Sequence, residues 1–167
     1  MIITSAFNRK GGVGKSLLNQ SIAFHIASTE EDKKILLIDL DSQSNLTSRM
    51  YSDTHSNSTL GDALVSDNMK LSDLILKGVV SQYPNIDLIP ANENLKYLEE
   101  IFSNTEENEE TIILDWLSKE ENLETAKEYD YIIWDLAPTN SIVNRNALLT
   151  CSNIIFIDQY GTMESIS

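Results

Sequence analysis

The segment at residues 8–16, NRKGGVGKS, places three glycines and two lysines within nine residues. Glycines let a loop turn tightly and bring backbone N–H groups close to a bound anion. When such a loop leads from a strand into a helix, the positive end of the helix also attracts phosphate. Lys15 would then contact the outer phosphates, and the Ser16 hydroxyl would contact a magnesium ion. The segment therefore predicts a phosphate site with Mg²⁺.

Aspartates stand at the ends of two apolar segments elsewhere in the chain. Asp39 and Asp41 lie in LLIDLDSQSNLT (36–47), and Asp135 lies in YIIWDLA (131–137). Such nearly continuous apolar runs are typical of strands covered on both faces. Open α/β sheets bind ligands at the carboxyl ends of their strands. Structural alternatives remain open, because Asp41 could cap a helix and Asp135 could be a turn former at the end of a strand.

Apolar runs alternate with helical patterns along the whole chain. Strands are expected at 2–7, 34–40, 85–90, 131–137 and 153–158. Helices are expected at about 15–28, with apolar positions Leu18, Ile22, Phe24, Ile26 and Ala27, and at 59–66, 71–79 and 141–150. Strands separated by helices predict an α/β fold with a mostly parallel sheet and flanking helices.

Length and composition limit the class of protein. A chain of 167 residues suits a single domain over residues 1–167. It has no apolar run long enough to span a bilayer and no secretory signal at its start, so we expect a cytoplasmic protein that does not bind membranes. Cys151 has no partner for a disulfide or a metal pair and is expected to be a small buried residue.

Negative charge is concentrated in one quarter of the chain. The net charge is −14, and residues 91–130 hold thirteen acidic side chains against three lysines. Charge runs of this kind are usually solvent-exposed helix faces. The alternative is a docking face for a basic peptide.

The phosphate loop departs from the pattern G-x-x-x-x-G-K-[ST], because Arg9 stands where that pattern has glycine. The form K-G-G-x-G-K-[ST] resembles the deviant Walker A ATPases of the ParA/MinD group of P-loop NTPases. This resemblance implies ATP and Mg²⁺ as cofactors and a dimer that holds two ATP molecules between its subunits. Lys10 would cross to the nucleotide of the other subunit, although it could also be an ordinary solvated lysine. The implied nucleotide contacts are Lys10, Gly11, Gly12, Val13, Gly14, Lys15, Ser16 and Leu17.

The resemblance also implies roles for the aspartates. Asp41 matches the residue that orients the attacking water, and it joins Lys10 and Lys15 as a catalytic residue. Asp39 and Asp135 join Ser16 around the metal, Asp135 as the Walker B residue. The family form D-x-D-P-Q-G-N is followed at Gln43 and Asn45, whereas Ser42 and Ser44 replace Pro and Gly. Ala137-Pro138 stands where the family more often has Pro-Pro, and Thr139 is implied as a donor toward the γ-phosphate.

Within the group, D-x-D-x-Q-x-N favours the ParA-type DNA partition ATPases in a short form. The chain is expected to lack the C-terminal third of the family fold, which carries the adenine contacts and nonspecific DNA binding. The implied partners are a second copy when ATP is bound, a centromere-binding ParB-like protein, and DNA through that C-terminal part, with association to the nucleoid. Two alternatives stay open: a family member that positions a protein cargo, and a hydrolysis-poor nucleotide-binding module or inhibitor.

Overall fold

A computed structural model describes residues 1–52, 58–66, 68–103 and 110–158, apart from the side chains at 99, 101 and 103. Its centre is a five-stranded sheet in the order β3-β2-β4-β1-β5, with every pair of neighbouring strands parallel. The predicted α/β class and parallel sheet are thus confirmed. The strands are β1 (Ile2–Phe7), β2 (Ile35–Leu40), β3 (Ile86–Ile89), β4 (Tyr131–Leu136) and β5 (Asn153–Phe156).

The strand β2, which lies between β3 and β4, shows why apolar runs form this sheet. All six of its residues are buried, and alternate side chains pack on opposite faces. Leu36, Ile38 and Leu40 belong to the core on one face, and Ile35 and Leu37 to the core on the other. A strand covered on both sides is apolar at nearly every position, which is the pattern seen in the sequence apart from Asp39.

Helices cover both faces of the sheet. The pair α1 and α2 packs on one face, and α3 to α8 pack on the other. None of the helices in the described parts of the chain has the length and apolar character needed to cross a bilayer. The helices are α1 (Lys15–Thr29), α2 (Asn45–Met50), α3 (Leu60–Val65), α4 (Leu71–Leu74), α5 (Leu98–Ser103), α6 (Ile112–Ser118), α7 (Glu120–Lys127) and α8 (Ile142–Leu149), with a 3-10 helix at Glu93–Tyr97.

The buried stripe of α1 differs from the apolar positions expected for that helix. Its buried residues recur every four positions: Lys15, Asn19, Ala23 and Ala27. Of the five expected apolar positions, only Ala27 is fully buried, and the larger ones flank the stripe. The small side chains of Ala23 and Ala27 let the helix lie close to the sheet. Lys15 and Asn19, nearer its N-terminal end, are therefore buried as well.

The prediction of a helix over 71–79 is wrong for its second half. The helix ends at Leu74, and Leu76 then pairs with Leu88 of β3 in an antiparallel bridge, with N–O distances of 2.8 and 2.9 Å. The edge strand β3 offers unpaired backbone groups that an extended segment can satisfy. Gly78, at φ 58°, also disfavours a continuing helix.

The acidic segment forms the 3-10 helix and helices α5, α6 and α7. Its apolar residues face the core, whereas its acidic side chains are mostly exposed, as in Glu93, Glu100, Asp115, Glu120 and Glu124. This arrangement agrees with the interpretation of the charge run as solvent-exposed helix faces. Residues 104–109 of that run lie outside the described residues.

Cys151 is half-buried rather than fully buried. It packs against the core, with its Sγ atom 3.6 Å from the backbone oxygen of Ala147. Burial raises the pKa of its thiol to about 12. The side chain therefore acts as a small, unreactive packing residue, close to the expectation.

Candidate functional site

The glycine loop lies between β1 and α1, as the sequence predicts. Gly12 and Gly14 have φ values of 73° and 93°. The left-handed region costs other residues about 1–2 kcal/mol, so these two positions favour glycine. Gly14 directly precedes α1 as its N-cap residue and has no side chain that could accept a hydrogen bond from the first N–H groups. The first N–H groups of α1 therefore remain available to an anion.

Lys15 is buried under this loop, with 6% of its surface exposed. Its ammonium donates a hydrogen bond to the backbone oxygen of Lys10 over 3.2 Å. Burial lowers the pKa of Lys15, while the negative charges of Asp135 and Asp41 act in the opposite direction. The structure thus brings the predicted phosphate lysine next to two of the three predicted carboxylates.

Asp135 is fully buried near the end of β4. Its Oδ1 accepts a hydrogen bond from the Asn19 side chain over 2.9 Å. Its Oδ2 has no hydrogen-bond partner among the described residues. Burial raises the pKa of Asp135, and the nearby Ser16 and Asn19 side chains lower it. An unpaired buried carboxylate oxygen is costly, which makes Oδ2 a natural ligand for a cation or its bound water.

These residues fit a magnesium ion that is held jointly with a nucleotide. Mg²⁺ in such sites takes one or two protein oxygens and completes its shell with phosphates and waters. Ser16 offers a hydroxyl and Asp135 offers the free Oδ2. The described residues contain no cluster of three His, Cys, Asp or Glu that could hold a metal ion alone. The donor set therefore suits Mg²⁺ bound with phosphates rather than a metal held by protein alone.

Asp39 is also fully buried, but protein donors engage both of its oxygens. Oδ1 accepts from the N–H of Asp41 at 3.1 Å, and Oδ2 accepts from the N–H and hydroxyl of Thr47 at 2.9 and 2.7 Å. Burial raises the pKa of Asp39 to about 7. Thr47 in turn accepts a hydrogen bond from the N–H of Ala91 at 2.9 Å. Asp39 therefore fastens the segment after β2 to the end of β3, and Asp135 is the better placed metal ligand.

Asp41 follows β2 and is buried, with 8% of its surface exposed. Its Oδ1 accepts a hydrogen bond from the N–H of Gln43 over 2.9 Å. Helix α2 begins at Asn45 and its N-cap residue is Ser44, so the alternative of Asp41 as a helix cap was wrong. The carboxylate instead organises a short loop beside Lys15.

Ser44 adopts a left-handed conformation with φ 53° and ψ 36°. It is the one described non-glycine residue with positive φ. It stands where the D-x-D-P-Q-G-N form has glycine, and its side chain makes no capping hydrogen bond that would offset the strain. The loop after Asp41 is therefore held in a conformation that serine does not favour.

The remaining predicted contacts lie at the mouth of the loop. Lys10 is exposed, and its side chain makes no hydrogen bond or ion pair to the described residues, although its N–H donates to Asn8 over 2.6 Å. Gly11, Gly12 and Gly14 are exposed and Val13 is half-buried. Leu17 is 57% exposed, so only its backbone N–H, in the first turn of α1, points to a role in anion binding.

The loop after β4 lies across a cavity from the loop after β2. Thr139 is exposed, and the Asn144 side chain donates to the backbone oxygens of Ala137 at 2.8 Å and Thr139 at 2.7 Å. A cavity of about 160 Å³ separates this loop from Ser42 in the loop after β2. Residues of both loops therefore line the same cavity, and Asn144 holds the loop after β4 in place.

Sequence reasoning missed three buried polar residues that hold the site together: Asn19, Thr47 and Asn144. Each lies on a helix and makes hydrogen bonds to the end of a strand or to the loop that follows it. The spacing gave a signal for Asn19, which follows Lys15 by four residues and therefore lies on the same, buried face of α1. Thr47 and Asn144 gave no comparable pattern.

Comparisons with known proteins agree with this geometry. A family model described as an AAA domain matches residues 1–164. The chromosome partitioning protein ParA of Myxococcus xanthus is 29% identical over 96% of this chain and 53% of its own length. Three other curated relatives are 29–33% identical, and the chain spans between 44% and 58% of their length.

Solved structures give the same assignment. A plasmid partition protein of Borrelia burgdorferi superimposes with a TM-score of 0.74 at 28% identity, over 98% of this chain and 69% of that one. A second Borrelia burgdorferi structure, solved with bound AMPPNP, gives a TM-score of 0.70 at 28% identity, over 93% and 61% of the two chains. The chain therefore belongs to this AAA-domain family and, within it, to the ParA-type P-loop ATPases.

Proposed function

We propose that this chain binds Mg-ATP at the glycine loop, pairs with a second copy around two nucleotides, and hydrolyses ATP to position DNA. The observation that carries the proposal is the buried Lys15 ammonium. Within the described residues its hydrogen-bond acceptor is the backbone oxygen of Lys10, and it lies beside Asp135, whose Oδ2 is free. A buried cation at the start of a helix, whose hydrogen bond goes to a neutral carbonyl, is suited to an incoming phosphate.

Nucleotide binding follows from the charges in this space. The Lys15 ammonium exchanges the neutral carbonyl of Lys10 for phosphate oxygens, which are stronger acceptors. The N–H groups at the start of α1 supply further donors, because the N-cap residue Gly14 has no side chain to occupy them. Bound Mg²⁺, held through Ser16 and Asp135, would neutralise phosphate charge and fix the orientation of the phosphates.

Two residues are proposed to act on the reaction itself. Asp41 is held by the N–H of Gln43 near Lys15, where a carboxylate can accept a proton from, or orient, an attacking water. Lys10 has an exposed side chain at the mouth of the loop, without a hydrogen bond or ion pair to the described residues, so it can reach a nucleotide in another subunit. A cation supplied in this way stabilises the charge of the transferred phosphoryl group, an effect of roughly 10³ to 10⁵ in rate for an arginine finger.

The proposed cellular role is drawn from the relatives. ParA of Myxococcus xanthus is a chromosome partitioning protein, and the similar Borrelia burgdorferi structure is a plasmid partition protein. For this chain we propose a cytoplasmic, nucleoid-associated partition ATPase. Its cargo would carry a centromere-binding partner that stimulates hydrolysis, and DNA contacts would come from a C-terminal part beyond these 167 residues.

Sedimentation and phosphate release measured on the same samples test this proposal. The protein should be monomeric with ADP, dimeric with Mg-ATP, and should release phosphate only under the second condition. Omission of Mg²⁺ is the matched control and should abolish both effects. A protein that stays monomeric and releases no phosphate with Mg-ATP would leave only a nucleotide-binding module, the hydrolysis-poor alternative.

A further inference from the structure

We infer that Asn19 is a positioning residue for Asp135. Its side-chain amide holds Oδ1 of that carboxylate in the interior, so that Oδ2 would stay available to Mg²⁺ or to a water bound to it. The inference rests on the proposed Mg-ATP function and adds a residue that the family motifs do not include.

The amide of Asn19 connects three parts of the site. Its Oδ1 accepts from the N–H of Ala6 in β1 at 3.1 Å, and its Nδ2 donates to the backbone oxygen of Trp134 in β4 at 3.1 Å and to Asp135 Oδ1 at 2.9 Å. Asn19 is completely buried. Because the oxygen faces a donor and the nitrogen faces two acceptors, only one orientation of the amide satisfies all three bonds.

The position of Asn19 explains why the amide is needed there. The parallel pairing of β1 with β4 is registered as far as Ser5 opposite Trp134. Just beyond that point Asn19 enters from α1 and bonds to both strands. The next residues of the same stripe, Ala23 and Ala27, pack on the sheet with small apolar side chains. Packing of α1 therefore requires only a small residue, and the amide adds a function that packing does not demand.

The bond to Asp135 is the one that bears on the site. With Oδ1 engaged by Asn19, Oδ2 is the carboxylate oxygen without a protein partner in the described structure. Residues that hydrogen-bond to a metal-binding side chain fix its orientation, and their loss typically reduces metal affinity about 10- to 100-fold. Loss of the amide would let the carboxylate rotate and weaken the contribution of Mg²⁺ to nucleotide binding.

Calorimetric titration of ATP into the protein, in Mg²⁺ and separately in EDTA, measures this contribution as the ratio of the two affinities. Asn19→Ala and Asn19→Ser should both reduce that ratio about tenfold or more, with the affinity in EDTA close to the parental value. The serine variant keeps a polar group toward the strands, so it serves where the alanine variant does not fold.

Asn122→Ala is the matched control. Asn122 is also buried, accepts from the N–H of Leu71 at 2.8 Å and donates to the backbone oxygen of Trp116 at 2.8 Å, but it lies on α7. This variant should lose thermal stability as the Asn19 variants do and keep the parental ratio. Asn19 variants that are destabilised but keep the ratio would overturn the inference while the proposed function stands. A parental protein that gains no ATP affinity from Mg²⁺ would overturn both.

Discussion

The ammonium of Lys15 donates a hydrogen bond to the backbone oxygen of Lys10 over 3.2 Å, so the two lysines of the glycine loop are joined directly. Their environments nevertheless differ, because Lys15 is buried and Lys10 presents an exposed side chain. The bond holds the loop around Lys15, and in the proposed nucleotide complex phosphate oxygens would replace the carbonyl. This division between an inward and an outward lysine leads to different expectations for their removal.

Lys10→Ala should leave ATP binding by the monomer close to the parental affinity and abolish ATP-dependent dimerisation and turnover. The reason is that the side chain makes no hydrogen bond or ion pair to the described residues of its own subunit, while the backbone oxygen that receives Lys15 is unchanged. Sedimentation with Mg-ATP and calorimetric titration measure the two effects. If the variant lost monomeric binding as fully as Lys15→Ala, the proposed action on the other subunit would be wrong.

Asp41→Ala should bind Mg-ATP and accumulate as an ATP-bound dimer with strongly reduced phosphate release. Loss of a positioned base typically lowers the rate about 10²- to 10⁴-fold, whereas the phosphate contacts of Lys15 and α1 remain. Single-turnover hydrolysis and sedimentation on one preparation check this. Hydrolysis at the parental rate would reduce Asp41 to a residue that shapes its loop through Gln43.

Ser44→Gly should raise the free energy of unfolding by up to about 1 kcal/mol, because glycine adopts the left-handed conformation without strain. Ser44→Val should lower it by about 1 kcal/mol or more, since a β-branched residue is poorly tolerated there. Urea denaturation of the two variants beside the parent gives both values. Equal destabilisation by glycine and valine would show that the serine hydroxyl, and not the backbone, decides stability at this position.

The 167 residues alone should not bind duplex DNA appreciably at physiological salt, with or without ATP. DNA affinity depends on basic side chains that neutralise phosphates, and the chain has twelve Lys and Arg against twenty-six Asp and Glu. In the part of the chain that the structure describes, basic side chains paired with acidic ones include Lys33, Lys34, Lys70, Lys77 and Arg145. A mobility-shift titration checks this, and an ATP-dependent shift would mean that a basic surface forms within these residues.

Patterns of apolar residues predicted the strands well, because a strand buried on both faces leaves a continuous signal, as in residues 35–40. The same kind of pattern gave a wrong prediction at 71–79. There the second half of the segment is extended because it pairs with the edge strand β3, and the local sequence does not reveal that pairing. The glycine loop and Asp135 were predictable, since their chemistry requires particular residue types. Thr47 was not, because a buried hydroxyl is recognised only when its partners in other segments, such as the N–H of Ala91, are known.

Calorimetric titration of Mg-ATP into the parental protein and Lys15→Ala is the most direct measurement of the central claim. The account predicts saturable binding by the parent and an affinity at least about tenfold weaker in the variant, because a charge-assisted hydrogen bond contributes roughly 1.5–3 kcal/mol. Lys70→Ala, which removes an exposed lysine paired with Glu121, should bind as the parent does. Binding of Mg-ATP by Lys15→Ala at the parental affinity would contradict the assignment of the glycine loop as the nucleotide site.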